Sequence, residues 1–512
     1  MSRHGRTQVV LPVMLLAVVS ASVSAEIDVY ASGLVQGKYL YNTGLEREIA
    51  VDGTTVWVDY GASVTDVRVD LDVVAGPLTV GAAYRTYLLS DRDYNPAEIA
   101  APPAEIKHRY VAFDHEDLSL RAGHFSSTFG HGLTLRSHEE IVLEHDTFLD
   151  GALAEYSMGD VSITALSGAA TDDVEGSRYY EHVVSAARVS APFTDYAEVA
   201  GSVVQRSRTQ KDDEISIPKE FARATDVLLG TELSIWAGPV SMVAEYVKRD
   251  GENPMTLTGD IEGHALYASG TVGLGGITLF GEFKDYEEYN HYLVSPPTGV
   301  RDHVWTQMNR VTYQPDLDDE RGFLVEGSGK LGDAFYLTGG ASEARNHDSD
   351  LRYWEMFGQV DWTLGEGISG SAAASWSREY AFEVEEATGK FDEHMTGALT
   401  AELEVGSGNA LEVTFEGQTT EDKYDAAYED YLVSAAFYSS TDLTLIATAE
   451  RTTSETETRE GWFILEARKL LTDDLEVSLA AGTERGGKKC TGGVCFEEPE
   501  FEGVRLRFTS FF

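Results

Sequence analysis

Polar and apolar residues alternate with a period of two along most of this chain. Asp66-Val67-Arg68-Val69-Asp70-Leu71-Asp72-Val73 shows the pattern, as do Ile277 to Phe283, Leu399 to Val405, Leu411 to Glu416 and Leu475 to Leu479. Successive side chains of a strand point to opposite faces, so each segment predicts a strand with one apolar and one polar face. No segment after residue 26 carries a competing helical period. Tight connections separate the strands at Ala75-Gly76-Pro77, Glu116-Asp117, Met158-Gly159-Asp160, Ala237-Gly238-Pro239, Gly365-Glu366-Gly367 and Thr472-Asp473-Asp474. Longer, charged connections lie between them: Ser90 to Glu105, Ser126 to Thr147, Thr209 to Glu220, Glu287 to Glu320 and Phe382 to Asp392. Short and long connections alternate. The parse yields about 24 antiparallel strands, between roughly 22 and 26, since Thr43 to Trp57 and Glu287 to Glu320 do not divide cleanly.

The two ends give this series its setting. Arg3 and Arg6 precede a short apolar core, Val9 to Val19, and the small residues Val23-Ser24-Ala25 follow it. Eleven apolar residues fall short of the roughly 20 that cross a bilayer as a helix, so residues 1–25 read as a cleaved export signal and 26–512 as the mature domain. At the other end, Val504, Leu506 and Phe508 alternate with Arg505, Arg507 and Thr509, and the chain closes on Phe512, with Ser510 as the one lapse on the apolar face. Alternating apolar residues ending on a terminal aromatic resemble the signal by which bacterial outer-membrane proteins are inserted as barrels. Together these features predict an all-β protein: a single transmembrane antiparallel β-barrel in the bacterial outer membrane. Its expected partners are membrane lipid, lipopolysaccharide and the barrel-assembly machinery, and nothing points to nucleic acid.

Composition fits this reading. Strands apolar on one face only dilute the hydrophobic signal, and mean hydropathy is −0.22. The only two cysteines, Cys490 and Cys495, stand close together in a Gly/Lys-rich stretch, which in an exported protein predicts a local disulfide across a loop tip.

Charge adds a functional expectation. The formal net charge is −47, and removal of residues 1–25 makes it −49. Acids recur on the polar phase of strands, where they would face the lumen: Asp66, Asp70, Asp72, Glu232, Glu245, Glu282, Glu326, Glu355, Asp361, Glu402, Glu404, Glu412 and Glu416. Low-dielectric walls around water focus such a field, so an open lumen should prefer cations; in a filled one the acids must pair with arginines such as Arg68, Arg121, Arg505 and Arg507. Basic residues also recur near the long-loop ends of strands, at Arg206, Arg208, Arg223, Lys248, Arg249, Arg345, Arg352, Arg378, Arg451 and Arg459. They would contact lipopolysaccharide phosphates or pair with loop acids.

The stretch from Gly123 to Glu140 is the most distinctive. Its core Phe129-Gly130-His131-Gly132-Leu133, followed by Leu135-Arg136, His138 and Glu139, resembles a pattern of an uncharacterised family of bacterial outer-membrane β-barrels. His131 replaces that family's usual arginine and His138 its frequent tyrosine. Ser295 to His303, Asn309 to Thr312 and Asp319 to Phe323 look similar to the same family. The resemblance implies fold and location, and no activity. Physically, Gly130 and Gly132 permit tight backbone turns, so Phe129, Gly130, His131, Gly132 and Arg136 are candidates for a constriction folded into the lumen; an ordinary surface loop is the alternative.

Catalytic and metal readings fare less well. Ser126, Ser127 and Ser137 lie near His131, His138 and His145, but no recognised nucleophile motif surrounds them, and the chain does not read as an enzyme. The same three histidines lack the regular spacing of a zinc site. Asp316, Asp318 and Glu320 alternate as Ca²⁺ ligands do, with the following glycine out of place for the usual loop. No cofactor is expected beyond that Ca²⁺ candidate. The expected function is a porin-like channel passing small polar or cationic solutes by passive diffusion; the alternative is a non-conducting barrel that docks a partner.

Overall fold

The structure is a computed structural model. It describes residues 29–51, 54–90, 104–140, 145–170, 180–210, 223–252, 260–289, 293–310, 316, 318–347, 351–380, 391–406, 408–422, 426–457, 459–491, 494–498 and 500–512. The leader read at residues 1–25 lies outside them.

Twenty-four strands form one antiparallel sheet in which each pairs with its neighbours in sequence. The first, Val29–Val51, also pairs with the last, Phe501–Phe511, with Leu34 opposite Phe511 and Tyr41 opposite Val504. The sheet is therefore a closed barrel. Closure satisfies the backbone without leaving an edge, the condition a sheet must meet to cross a bilayer. At the seam Gly33 and Phe512 exchange backbone hydrogen bonds of 2.9 and 3.1 Å. A Cβ on Gly37 would collide with the Phe508 ring, so this glycine lets the aromatic lie flat across the seam.

The alternation read from the sequence becomes the two faces of the wall. On strand Ala410–Glu421, Val413 and Phe415 are exposed outside, whereas Glu416, Gln418 and Thr420 are buried inside. Val504, Leu506 and Phe512 of the terminal signal belong to the exposed outer surface. The ambiguous stretch Thr43 to Trp57 is the outer part of a long hairpin: Val29–Val51 and Thr54–Ala75 have 23 and 22 residues, against the about 9–11 that a strand needs to cross. All the tight turns lie at one end of the barrel and the long connections at the other. A small hairpin, Gly487–Thr491 with Val494–Glu498, stands at the long-loop end and lies against a single 3-10 turn, Met308–Arg310.

Two long connections turn inward. One follows Phe125 and returns at Leu149; the other follows Glu287 and returns at Asp319. They are the lumen's principal contents.

Epitope tags inserted at Gly76, Gly238 or Glu366 should be hidden from antibody in intact cells, and a tag at Lys488 exposed. The opposite labelling would reverse the orientation.

The hairpin register sets Cys490 opposite Cys495. Cross-strand partners lie about 4.5–5.5 Å apart at Cα, inside the span a disulfide needs. Mass spectrometry of alkylated, non-reduced protein should find both thiols blocked by mutual oxidation, and recovery of two alkylated cysteines would refute the pair.

Candidate functional site

The first insert, residues 126–148, is built from two small hairpins. Ser127–Phe129 pairs with Leu135–Ser137, and Glu139–Glu140 pairs with His145–Asp146. Phe129, Leu133 and Leu135 are buried against the inner wall, where Leu166, Val184, Val204, Leu228, Val247 and Ala265 offer a local apolar patch. Inner-wall positions are mostly polar, so this patch directs the insert to one side of the lumen. Gly130 meets the wall at two acids that face each other in register, Glu232 and Glu245. Its φ is 56°, and a Cβ there would lie 2.7 Å from Glu232 Oε2 and closer still to Glu245. Both backbone freedom and absence of a side chain are required. Glu245 accepts hydrogen bonds from His131 N (2.7 Å) and Thr134 Oγ1 (3.1 Å), and Glu232 pairs with Arg188 at 3.2 Å.

The far end of this insert is fixed by charge. Glu139 forms a two-pronged pair with Arg68, which also holds Asp70 at 2.9 Å. Asp146 accepts from His108 Nε2 (2.8 Å) and lies 3.2 Å from Lys107 Nζ. Burial works against the Asp146 charge, but the His108 hydrogen bond, the positive field of His108 and Lys107 and the Phe148 N–H together hold its carboxyl at about 2. His108, Glu139 and Asp146 place one potential ligand atom each within 4.8 Å of the others. Arg68 and Lys107 already occupy those carboxylates, so the cluster acts as an ion-paired junction.

The second insert leaves the wall after Glu287 and first meets the first insert. Arg136 N donates to Leu293 O (2.7 Å), Ser295 N to Gly132 O (3.2 Å), and the buried Tyr289 hydroxyl to Leu133 O. Buried Lys284 then holds Glu320 and Thr298 O, fixing the root of the strap. From there the chain runs around the inner wall from anchor to anchor. Arg301 pairs with Glu326, His303 Nε2 with Glu355 (2.7 Å), and Trp305 Nε1 donates to Thr400 (3.4 Å). Gln307 N donates to Glu416 (2.7 Å), its carbonyl accepts from Gln418 (2.9 Å), and Arg310 pairs with Glu450 (2.6 Å). The strap thus reaches from the strand at Asp319–Leu331 to that at Leu443–Thr452.

The acids named from the polar phase lie on the inner face. Most of them, however, are held by a neighbouring side chain or an insert. Asp66 is held by Arg85 (2.8 Å), Asp72 by the Tyr110 hydroxyl (2.7 Å), Glu282 by that of Tyr267 (2.6 Å) and Asp361 by Gln359 (2.8 Å). Glu232, Glu245, Glu326, Glu355 and Glu416 carry the inserts or pair beside them. The side chains of Glu402 and Glu404 have no hydrogen bond or ion pair among the described residues, and that of Glu412 has only a long contact of 3.5 Å from Tyr438. Of the expected arginine partners, Arg68 and Arg505 do form ion pairs, the latter with Glu484 at 2.8 Å; Arg121 instead donates to His124 O (2.8 Å). What the sequence did not reveal were the strap's anchors, His303, Gln307 and Arg310, whose partners lie 52, 109 and 140 positions away.

Other candidates separate. Arg206 and Arg249 turn inward to Asp226, and Arg345, Arg352, Arg378, Arg451 and Arg459 pair with Glu343, Asp316, Glu393, Glu460 and Glu502. Of these acids only Asp316 and Glu460 lie in connections; Asp226, Glu343, Glu393 and Glu502 are on strands. Of the Ca²⁺ candidates, Asp316 faces Arg352 at 3.6 Å, and Glu320 pairs with Lys284 and accepts from Asp316 N at 3.0 Å. Ser137 Oγ is committed to Thr147 O (2.6 Å) and His131 sits at Glu245, while the side chain of His145 lies outside the described residues.

The profile of a protein family described as "Family of unknown function (DUF6029)" matches residues 45–319. No curated protein matches the chain. Among solved structures, an E. coli P pilus tip assembly intermediate, PapC-PapD-PapK-PapG, aligns with a TM-score of 0.54 at 10% identity, covering 95% of this chain and 62% of that one. The P pilus usher (PapC) translocation pore gives 0.46 at 10% identity, covering 94% and 99%. A BenF-like porin from Pseudomonas fluorescens Pf-5 gives 0.36 at 11% identity, covering 80% and 98%. The first likeness supports the large-barrel fold alone.

Asp146 gives the junction a pH signature. Its folded carboxyl, at about 2, lies below the unfolded value of about 3.9. The stabilisation is therefore complete above about pH 4 and is lost as pH falls toward about 2. Hydrogen exchange across residues 137–147 should stay slow from neutrality to about pH 4 and quicken only below. Loosening already at pH 5–6 would contradict the assignment.

Proposed function

The chain belongs to the Family of unknown function (DUF6029), a membership that brings no activity with it, and we propose that it is an outer-membrane channel passing small polar solutes, cations foremost, by passive diffusion. One observation carries this reading: the wall is wider than its contents. Barrels of about 16–18 strands already leave an aqueous channel. Here 24 strands enclose two inserts that run along the wall. Among the described residues their ion pairs and hydrogen bonds to the wall begin at Thr54–Ala75 and end at Leu443–Thr452. Four strands across the seam, Gly461–Thr472, Leu475–Glu484, Phe501–Phe511 and Val29–Val51, lie beyond them. That is roughly 20 Å of wall at about 4.8 Å per strand.

Cation preference is assigned to fewer residues than the net charge suggests. Paired acids contribute little field at a distance. Glu402, Glu404 and Glu412 lie toward the tight-turn end of adjacent strands, with Glu402 opposite Glu412 in register. Like charges set opposite one another raise the local negative potential and favour a passing cation. The strap would narrow the passage and set its size limit. The rival reading, a non-conducting barrel that docks a partner, draws support from the density of the strap's anchors.

Planar-bilayer recordings separate the two. Purified protein should conduct, and reversal potentials in a KCl gradient should favour potassium, more so in dilute salt where screening is weak. E402Q/E404Q/E412Q should lower that preference by a factor of about two or more. H303A with E416Q removes two strap anchors and should raise conductance. Absence of current from correctly folded protein would select the docking barrel, and an anion preference would overturn the role given to the three glutamates.

A further inference from the structure

Beyond the strap's last anchor the inner wall carries a group of basic residues. On the four strands at the seam, the inward phase carries Arg468, Arg505, Arg507 and Lys38. Register places three of them in one row: Arg468 stands opposite Ser478, Ser478 opposite Arg507, and Arg507 opposite Lys38. Arg505 follows two residues from Arg507 on the same face. Such a concentration of positive charge is unexpected in a chain of net charge −47.

The acids nearby compensate it in part. Arg468 spends Nε on Glu466 and Arg505 one amine on Glu484. Lys38 stands opposite Asp66, so it too has an acid beside it. Glu476 lies nearer the tight-turn end, opposite Thr509. Arg507 is exposed to the lumen and makes no hydrogen bond or ion pair among the described residues. Like charges directly opposite on paired strands are destabilising. A row that keeps them, on the sector the inserts leave uncovered, is suited to an anion. Guanidinium groups present fixed donor forks that match carboxylate and phosphate oxygens.

We propose that Arg507, with Arg468, Lys38 and Arg505, forms a lumenal binding site for the carboxylate or phosphate group of a passing solute. The proposal rests on the channel reading for its solute, and it narrows that solute to one carrying an anionic group. The acids at Glu402, Glu404 and Glu412 lie on another arc of the same wall, so a solute bearing both charges would find a partner for each.

Titration calorimetry of the detergent-solubilised barrel at low salt tests the site without requiring conduction. Pyrophosphate and citrate serve as the probes, distinguishing phosphate from carboxylate chemistry. At least one should bind saturably near one equivalent. R507Q, and separately R468Q, should weaken it about tenfold, the cost of one charge-assisted pair. K248Q, on the outer face, should bind as the parent does. Added salt should weaken binding throughout. No heat from either probe, or affinity unchanged in both R507Q and R468Q with the barrel intact by circular dichroism, would overturn the site. Binding without conductance would retain the site and reject the channel.

Discussion

A barrel of 24 strands cannot pack its own interior, because side chains on opposite walls are too far apart to meet. Whatever occupies the lumen must be fastened to the wall contact by contact. In this chain one apolar patch seats the first insert, and the rest of the fastening is polar: wall acids reach inward and take backbone N–H groups, histidine and arginine from the two inserts. Glu245 and Glu416 are the clearest cases, since each accepts a main-chain N–H of an insert, His131 N at 2.7 Å and Gln307 N at 2.7 Å. A carboxylate that accepts such bonds away from bulk water is strongly held, and leaving either partner unmatched there would be costly. The remaining structure depends on this choice. The strap's course follows the spacing of wall acids, and Gly130 is required because its backbone lies against two of them.

The wall itself was legible in the sequence because its physics is local. Alternation decides which face of a strand meets lipid and which meets the lumen, and Asp66 to Val73 or Leu411 to Glu416 show it without outside information. Tight turns at Gly76 and Gly238 mark where strands reverse, and the count of 24 follows from them. The terminal alternation Val504, Leu506, Phe508 is likewise local, and it lies on the strand that closes the seam.

The lumen was only half legible. Glu326, Glu355 and Glu416 share the inward phase of their strands, but their partners are Arg301, His303 and Gln307 in a distant connection. No periodicity links such positions, because the inserts have almost no repeating structure of their own. The same limit applies to the basic residues. Arg206 and Arg378 look alike on paper, yet the first turns inward to Asp226 and the second lies beside Glu393 and Trp376. One apolar clue was present: Phe129, Leu133 and Leu135 are large hydrophobic residues in what would otherwise be a polar loop. Their burial against Leu228 and Val247 is what that composition required.

The matched family region, residues 45–319, ends where the second insert rejoins the wall, so it contains both inserts and the acids that seat the first. The strap's outer anchors, Glu355, Glu416 and Glu450, lie beyond it, as does the basic row at the seam. Net charge is therefore a poor guide to what this lumen offers a solute. Acids paired with arginine or lysine are offset by what they hold, whereas those bonded only to neutral N–H and O–H donors keep their charge but are tied to protein. Of the lumen-facing acids, Glu402, Glu404 and Glu412 are the ones least tied to protein, and a minority of basic residues gains weight beside them because Arg507 has been left without a partner among the described residues.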